Sequence, residues 1–209
     1  MDIGKLFSES WNRFSANLVS SIIVVVVGSL VGSLLAGFTA GIAGIPVFVG
    51  IVKAMRRVQQ GGTADFGDLF SEFSNFGKWF MVWVVALVAG LASVVTFGLA
   101  SIVIPFVLAF MVPLMLERDM AAFDAAKESF NYVKDNLGLV FVPLLLTMIV
   151  SGLGGAVFGI GALITVPLAM IANWYIYDWS IGGGAPAAAS AAAAPAAAMD
   201  DDDDFGDED

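Results

Sequence analysis

Three long stretches of this chain carry no charged residue: residues 14–52, 79–116 and 137–177, each about 38 to 41 residues long. A soluble helix must turn a polar face to water, whereas a membrane-crossing helix of about 20 apolar residues need not. Each stretch is long enough for two crossings. Small-residue patches interrupt each one, at residues 36–44, at Phe97-Gly98-Leu99 and at residues 152–161, and mark where the chain reverses. The sequence therefore predicts an all-α polytopic membrane protein with six transmembrane helices in three hairpins, over residues 18–36, 39–56, 79–97, 99–116, 137–155 and 157–177. The second is the least regular, since Pro46 and several glycines break a short apolar run, and it is expected to tilt, kink or re-enter. Composition agrees: 59% of residues are hydrophobic and 13% charged, against about 45–50% and about 25% in soluble domains.

All nine basic residues, Lys5, Arg13, Lys53, Arg56, Arg57, Lys78, Arg118, Lys127 and Lys134, lie in the N-terminal segment or between one hairpin and the next. None lies at a hairpin tip. By the positive-inside rule those segments and both termini are cytoplasmic. Trp11, Trp79, Trp83, Tyr132, Trp174, Tyr175, Tyr177 and Trp179 fall toward the same side and read as interfacial anchors. The segment before the first apolar run is long and holds Asp2 and Glu9, unlike the short basic leader of a signal peptide, so the first helix is expected to stay uncleaved.

The segments that lead into the hairpins align with one another. Leu6-Phe7-Ser8-Glu9-Ser10-Trp11-Asn12, Leu69-Phe70-Ser71-Glu72-Phe73-Ser74-Asn75 and Ala125-Ala126-Lys127-Glu128-Ser129-Phe130-Asn131 share Glu-x-x-Asn, placing Glu9, Glu72 and Glu128 with Asn12, Asn75 and Asn131 at equivalent positions. Each is followed by a hairpin whose second helix carries proline: Pro46, then Pro105 and Pro113, then Pro167. The unit is an amphipathic helix, a helix, a turn and a proline-bearing helix, repeated over about residues 1–58, 63–118 and 120–179. A pseudo-threefold arrangement, with the shared polar residues capping or bridging neighbouring units, is one expectation from it. Aromatic residues recur at helical spacing on the lead-ins, and Phe7, Trp11, Phe14, Phe66, Phe70, Phe73, Phe76, Phe123 and Phe130 are the candidate membrane-interface residues. Such a helix serves either as an elbow packed under its own hairpin or as a wedge that senses or shapes one leaflet.

Catalytic chemistry finds little to work with. The chain has no Cys and no His, which removes thiol nucleophiles, thiolate metal sites and the commonest general base. It has no phosphate-binding loop and no Ser/His pair, and its predicted spans hold no ionisable residue of the kind that marks proton or ion paths. No catalytic residue, cofactor or metal is expected, and the carboxylates Glu117, Asp119 and Asp178 read as interfacial. Ser and Thr hydroxyls within the spans read as interhelical glue. Gly28-x-x-x-Gly32, Ser29-x-x-x-Ser33, Gly37-x-x-x-Gly41 and Gly155-x-x-x-Gly159 permit close helix contact, more in internal packing than in a homo-oligomer.

After residue 180 the composition changes. Residues 181–199 form a Gly/Ala/Pro linker, which at about 5–6 Å times the root of its length reaches roughly 25 Å. Residues 200–209 hold eight of the nineteen acidic residues, so the net charge of −10 belongs to this tail and residues 1–199 balance nine basic against eleven acidic. No nucleic-acid binding follows from such a charge. Asp200, Asp201, Asp202, Asp203, Asp204, Phe205, Asp207, Glu208 and Asp209 are candidate partner-binding residues, the acids steering toward a basic cytoplasmic protein and Phe205 filling a pocket. The alternative is a disordered, solvated bristle.

The lead-in Leu6-Phe7-x4-Asn12, the Pro113-Leu114 and Pro167-Leu168 turns, and Asp124-Ala125-Ala126-x-x-Ser129 before Asn136-Leu137 resemble a family of bacterial six-helix membrane proteins related to the glycerophosphodiester phosphodiesterase membrane domain. The similarity covers residues 1–180. It implies a bacterial inner-membrane location, and with no phosphodiesterase domain attached it does not bring that enzyme's chemistry. The sequence thus points first to a non-enzymatic inner-membrane scaffold or adaptor, which organises the cytoplasmic leaflet and recruits a partner through its tail. The alternative is a transporter or lipid-handling protein for an uncharged or lipidic substrate. A cavity at mid-depth lined by Thr96, Ser101, Thr147 and Thr165 favours the second, and a tightly packed interior the first.

Overall fold

The computed structural model describes residues 2–156 and 161–181, and among them all regular structure is helical. The helices are α1 (Ile3–Ala16), α2 (Leu18–Phe38), α3 (Gly44–Gln59), α4 (Asp68–Ser71), α5 (Phe76–Val95), α6 (Leu99–Val107), α7 (Met111–Glu117), α8 (Ala122–Asp135), α9 (Leu137–Ala156) and α10 (Ala162–Ser180). A short 3-10 turn, Glu72–Asn75, joins α4 to α5. The turn expected over residues 152–161 falls partly outside the described residues, as do Gly159 and nearly all of the linker and the acidic tail.

Among the described residues three helices are long and apolar enough to cross a membrane: Leu18–Phe38, Asp68–Val95 and Leu99–Glu117. There are four if α8 and α9, bent by 109° where they join, count as one. The remaining long helices, α3 and α10, fall short for a physical reason. At about 1.5 Å per residue the 16 residues of α3 span only about 24 Å, less than the roughly 30 Å hydrocarbon core. In α10, Asn173, Asp178 and four Trp and Tyr residues dilute the apolar character.

These two helices are nevertheless the centre of the molecule. α3 buries ten of its 16 residues, and α10 packs against α1, α2, α3 and α9. By contrast α5 buries only Trp79, while Leu30, Leu34, Val88, Leu91, Val94 and Leu153 face outward. A fold whose most apolar helices lie outside and whose more polar helices lie inside is matched to a hydrocarbon solvent. Trp79, Trp174, Tyr175 and Tyr177, expected as interfacial anchors, are all buried between helices.

The first two hairpin tips are built alike. Thr39 Oγ1 donates to the Leu35 carbonyl and accepts from the Ala43 amide, and Thr96 Oγ1 donates to the Ala92 carbonyl and accepts from the Ala100 amide. The next two residues, Ala40-Gly41 and Phe97-Gly98, all take positive φ. In each case the glycine amide reaches back to the helix end, to the Ala36 and Ser93 carbonyls at 2.7 Å. Glycine at the second position removes most of the strain of that left-handed pair. The first tip lies beside α5 at Trp83, whose indole donates to the Ala40 carbonyl, so α5 continues well past it to Val95.

The lead-ins pack mainly on helices outside their own hairpins. α1 lies against α10, α4 against α3, and α8 against α7. Each turns a small or aliphatic stripe inward: Leu6, Ser10 and Phe14 on α1, Leu69 on α4, and Ala122, Ala125, Ser129 and Val133 on α8. Gly50 of α3 permits the closest of these approaches, for a Cβ there would meet the Asp68 carbonyl oxygen at 2.5 Å and the Leu69 Cα at 2.6 Å.

Candidate functional site

One end of the bundle is tied by ion pairs. Arg56 near the end of α3 bonds Glu117 at the end of α7 through Nε at 2.9 Å, and also Asp178 of α10 and the side-chain amide oxygen of Gln59. Its guanidinium lies 4.5 Å from the centre of the Trp174 ring. Lys53 pairs with Glu72 at 2.9 Å, and the other Glu72 oxygen accepts the buried Trp79 indole N–H. Arg57 holds Asp65 and Asp68, Lys78 holds Asp119 and the Met115 carbonyl, and Arg118 holds Glu128 and the Ile181 carbonyl. The Gly67 amide, and then Arg57, keep the Asp65 carboxyl below its ordinary range, and Lys78 does the same for Asp119. Glu117, Asp119 and Asp178 thus form no common carboxylate site, since the first and third share Arg56 while Asp119 turns to Lys78. Among the described residues no three acidic side chains gather as metal ligands.

The shared lead-in residues take different environments. Glu72 and Glu128 each bridge to the helix that precedes their own unit, through Lys53 and Arg118. Glu9, Asn12, Asn75 and Asn131 are exposed. Of the aromatic residues on these segments, Trp11, Phe66, Phe70, Phe76, Phe123 and Phe130 are exposed, and Phe7 and Phe73 are half-buried. Phe14 departs from the interfacial expectation: it is fully buried, because the last turn of α1 points it into the core. Asp200 to Asp209, including Phe205, lie outside the described residues.

Between the charged end and the hairpin tips the span of α6 and α7 is broken at Leu108, Ala109 and Phe110. Its prolines explain part of the break. Pro113 has no N–H to give the carbonyl of Ala109 four residues earlier, and Asn173 Nδ2 of α10 donates to that carbonyl instead, at 3.3 Å. The Val107 carbonyl and the Phe110 amide, also left without helical partners, are both met by Ser129 of α8. Its hydroxyl donates to the first at 2.7 Å and accepts from the second at 3.2 Å. Irregular backbone inside a membrane protein requires such partners. In the sequence Ser129 stands out only through the lead-in repeat and the resemblance motif, although a proline in an apolar run is itself a signal that a carbonyl one turn earlier needs a donor.

Beside the break, among α3, α6, α7, α9 and α10, is a cavity of about 390 Å³. Its inner wall is made by buried Val52, Leu144, Thr147, Ala169 and Trp174, and its rim includes exposed Phe48, Pro105 and Met148. It therefore opens sideways, onto the apolar outer surface of the bundle. Its polar side chains are Thr147, Ser151 and Asn173, and among the described residues no charged one lines it. Trp174, whose indole N–H is fixed on the Val52 carbonyl at 3.0 Å, lines the cavity and also carries the Arg56 guanidinium on its ring. Of the hydroxyls expected in such a cavity only Thr147 lines it. Thr96 and Ser101 are exposed at the second tip, and Thr165 bonds the Gly161 and Ser151 carbonyls. No known protein family, curated protein or solved structure matches this chain, and the resemblance of residues 1–180 to a phosphodiesterase membrane domain stays an expectation.

Proposed function

We propose that this is a non-enzymatic, multi-pass protein of a bacterial inner membrane that takes up an uncharged or lipidic molecule from the bilayer. The observation that carries the reading is the cavity at the broken α6–α7 span, open toward lipid between Phe48, Pro105 and Met148. Discontinuous helices near mid-depth are where membrane transporters commonly place their substrate sites, because backbone freed from helical bonding is tolerated where it lines a cavity. The cavity also lies within the roughly 300–1,000 Å³ range of small-molecule sites. In this reading α9 and α10 cross the membrane with the other spans, both termini are cytoplasmic, and the ion-paired end of the bundle is the cytoplasmic one. The threefold repeat draws support from the order of packing, each lead-in lying on the last helix of the preceding unit and α1 closing the ring on α10.

The test is to purify the protein in a mild detergent and identify its retained lipids by mass spectrometry, beside Ala169→Leu in the inner wall and Met148→Trp at the rim. A chain-bearing lipid retained by the wild type and lost from both variants, with unchanged unfolding temperatures, is the expected result. Equal retention by all three overturns the reading. A scaffold role has its own support in the six exposed aromatics of the lead-ins, which are suited to the headgroup layer.

A further inference from the structure

Resting on the cavity as a lipid site, we infer that its ligand is a neutral amphiphile, a long apolar chain ending in a hydroxyl, and that phosphate- or carboxylate-headed lipids are refused. The inference comes from the charges that surround the cavity and do not enter it. An anionic head drawn among these helices needs a cation, since an unpaired buried charge is strongly disfavoured. Arg56, the cation stacked on the wall residue Trp174, is not among the residues that line the cavity and already serves Glu117, Asp178 and Gln59. Lys53, Lys78 and Arg118 are each held by a carboxylate, and each also bonds a second oxygen, of Ser71, Met115 and Ile181.

A hydroxyl, by contrast, finds both of the partners it needs. Asn173 uses one amide hydrogen on the Ala109 carbonyl, which leaves its second hydrogen as a donor and its carbonyl oxygen as an acceptor. Thr147 donates to the Pro143 carbonyl and keeps oxygen lone pairs for a donor. Ser151 adds a hydroxyl on the same helix as Thr147. The rest of the wall is aliphatic, aromatic or thioether, which suits a chain entering between Phe48, Pro105 and Met148.

The probes are dibrominated octadecanol and dibrominated octadecyl phosphate, each bearing bromines in mid-chain, added to lipid-stripped full-length protein in nanodiscs. Bromine quenches tryptophan fluorescence at contact, and Trp174 is in the wall; the part of the quenching lost in Trp174→Phe belongs to this site. The alcohol is expected to quench Trp174 at least tenfold more tightly than the phosphate, and Ser151→Ala, which removes no internal hydrogen bond of the fold, is expected to reduce that preference severalfold. Equal binding of alcohol and phosphate overturns the choice of headgroup and leaves the lipid site standing. Quenching by neither, in protein whose unfolding temperature is normal, overturns both.

Discussion

Ser129→Ala is the substitution that best separates this architecture from a bundle of ordinary straight helices. The side chain is fully buried, and its one hydroxyl serves two backbone groups across the α8 contact, the Val107 carbonyl and the Phe110 amide. Removing it leaves both without a partner where water is scarce. Interhelical hydrogen bonds in membrane proteins contribute about 0.6 kcal/mol on average and up to about 1.7, so two such bonds give a range of about 1.2 to 3.4. Counting each orphaned group at about 1–3 kcal/mol puts the effect in the upper part of that range, about 2–3 kcal/mol. The assay is unfolding by SDS in mixed micelles, followed by tryptophan fluorescence, with Ser8→Ala and Ser15→Ala as controls. Those hydroxyls are exposed and bond only within their own helix, and their loss is expected to stay within about 0.5 kcal/mol. A Ser129→Ala protein within that same margin of the wild type refutes the reasoning: α6 and α7 would then close into one helix without help from α8.

Arg56→Ala should cost about 2–4 kcal/mol in the same assay, because it leaves the largely buried Asp178 carboxylate without its cation, held only by the Gln59 amide, and uncovers Trp174. Arg56→Lys should recover less than half, since one ammonium cannot hold two carboxylates and stack on an indole. Gly50→Ala should cost about 1–3 kcal/mol, its Cβ meeting the backbone of Asp68 and Leu69, whereas Gly90→Ala, with open space around it, should be neutral or slightly stabilising. The lack of native cysteine makes topology directly measurable. Phe97→Cys should react with an impermeant thiol reagent from the outside and Lys127→Cys only from the cytoplasm; Ala40→Cys, beside Trp83, should react more slowly than Phe97→Cys. Labelling of Phe97→Cys from the cytoplasmic side alone would reverse the orientation.

The helical class and the first two reversals were readable in the sequence because they depend on local information. A charge-free run followed by small residues defines a helix and its end, and Gly41 and Gly98 stand where the backbone needs positive φ. Burial was not readable in the same way. Trp174 and Phe14 carry the same local signal as Trp11 and Phe123, an aromatic ring near the boundary of an apolar run, yet the first two are fully buried and the others exposed. What separates them is which helix passes beside them, a matter of contacts more than a hundred residues apart in sequence, such as Trp174 with Val52.

The same long-range logic explains why the candidate site was only half visible. Thr147 and Asn173 were recognisable as polar residues in apolar helices, but a polar residue in a span serves equally well as glue or as site lining. Their roles are decided by Pro113 and by the α6–α7 break. Once Pro113 deprives the Ala109 carbonyl of its helical partner, Asn173 is drawn to that carbonyl from the neighbouring helix and Ser129 is drawn to the groups on either side of it. A continuous α6–α7 helix would need neither of them and would have no break beside which a cavity forms. In this protein the proline that costs helical hydrogen bonding also lines the cavity, so the two perturbations should be coupled. Pro113→Ala is expected to straighten the span, weaken its dependence on Ser129 and reduce lipid retention together. Retention that survives while the Ser129 dependence disappears would separate the cavity from the break.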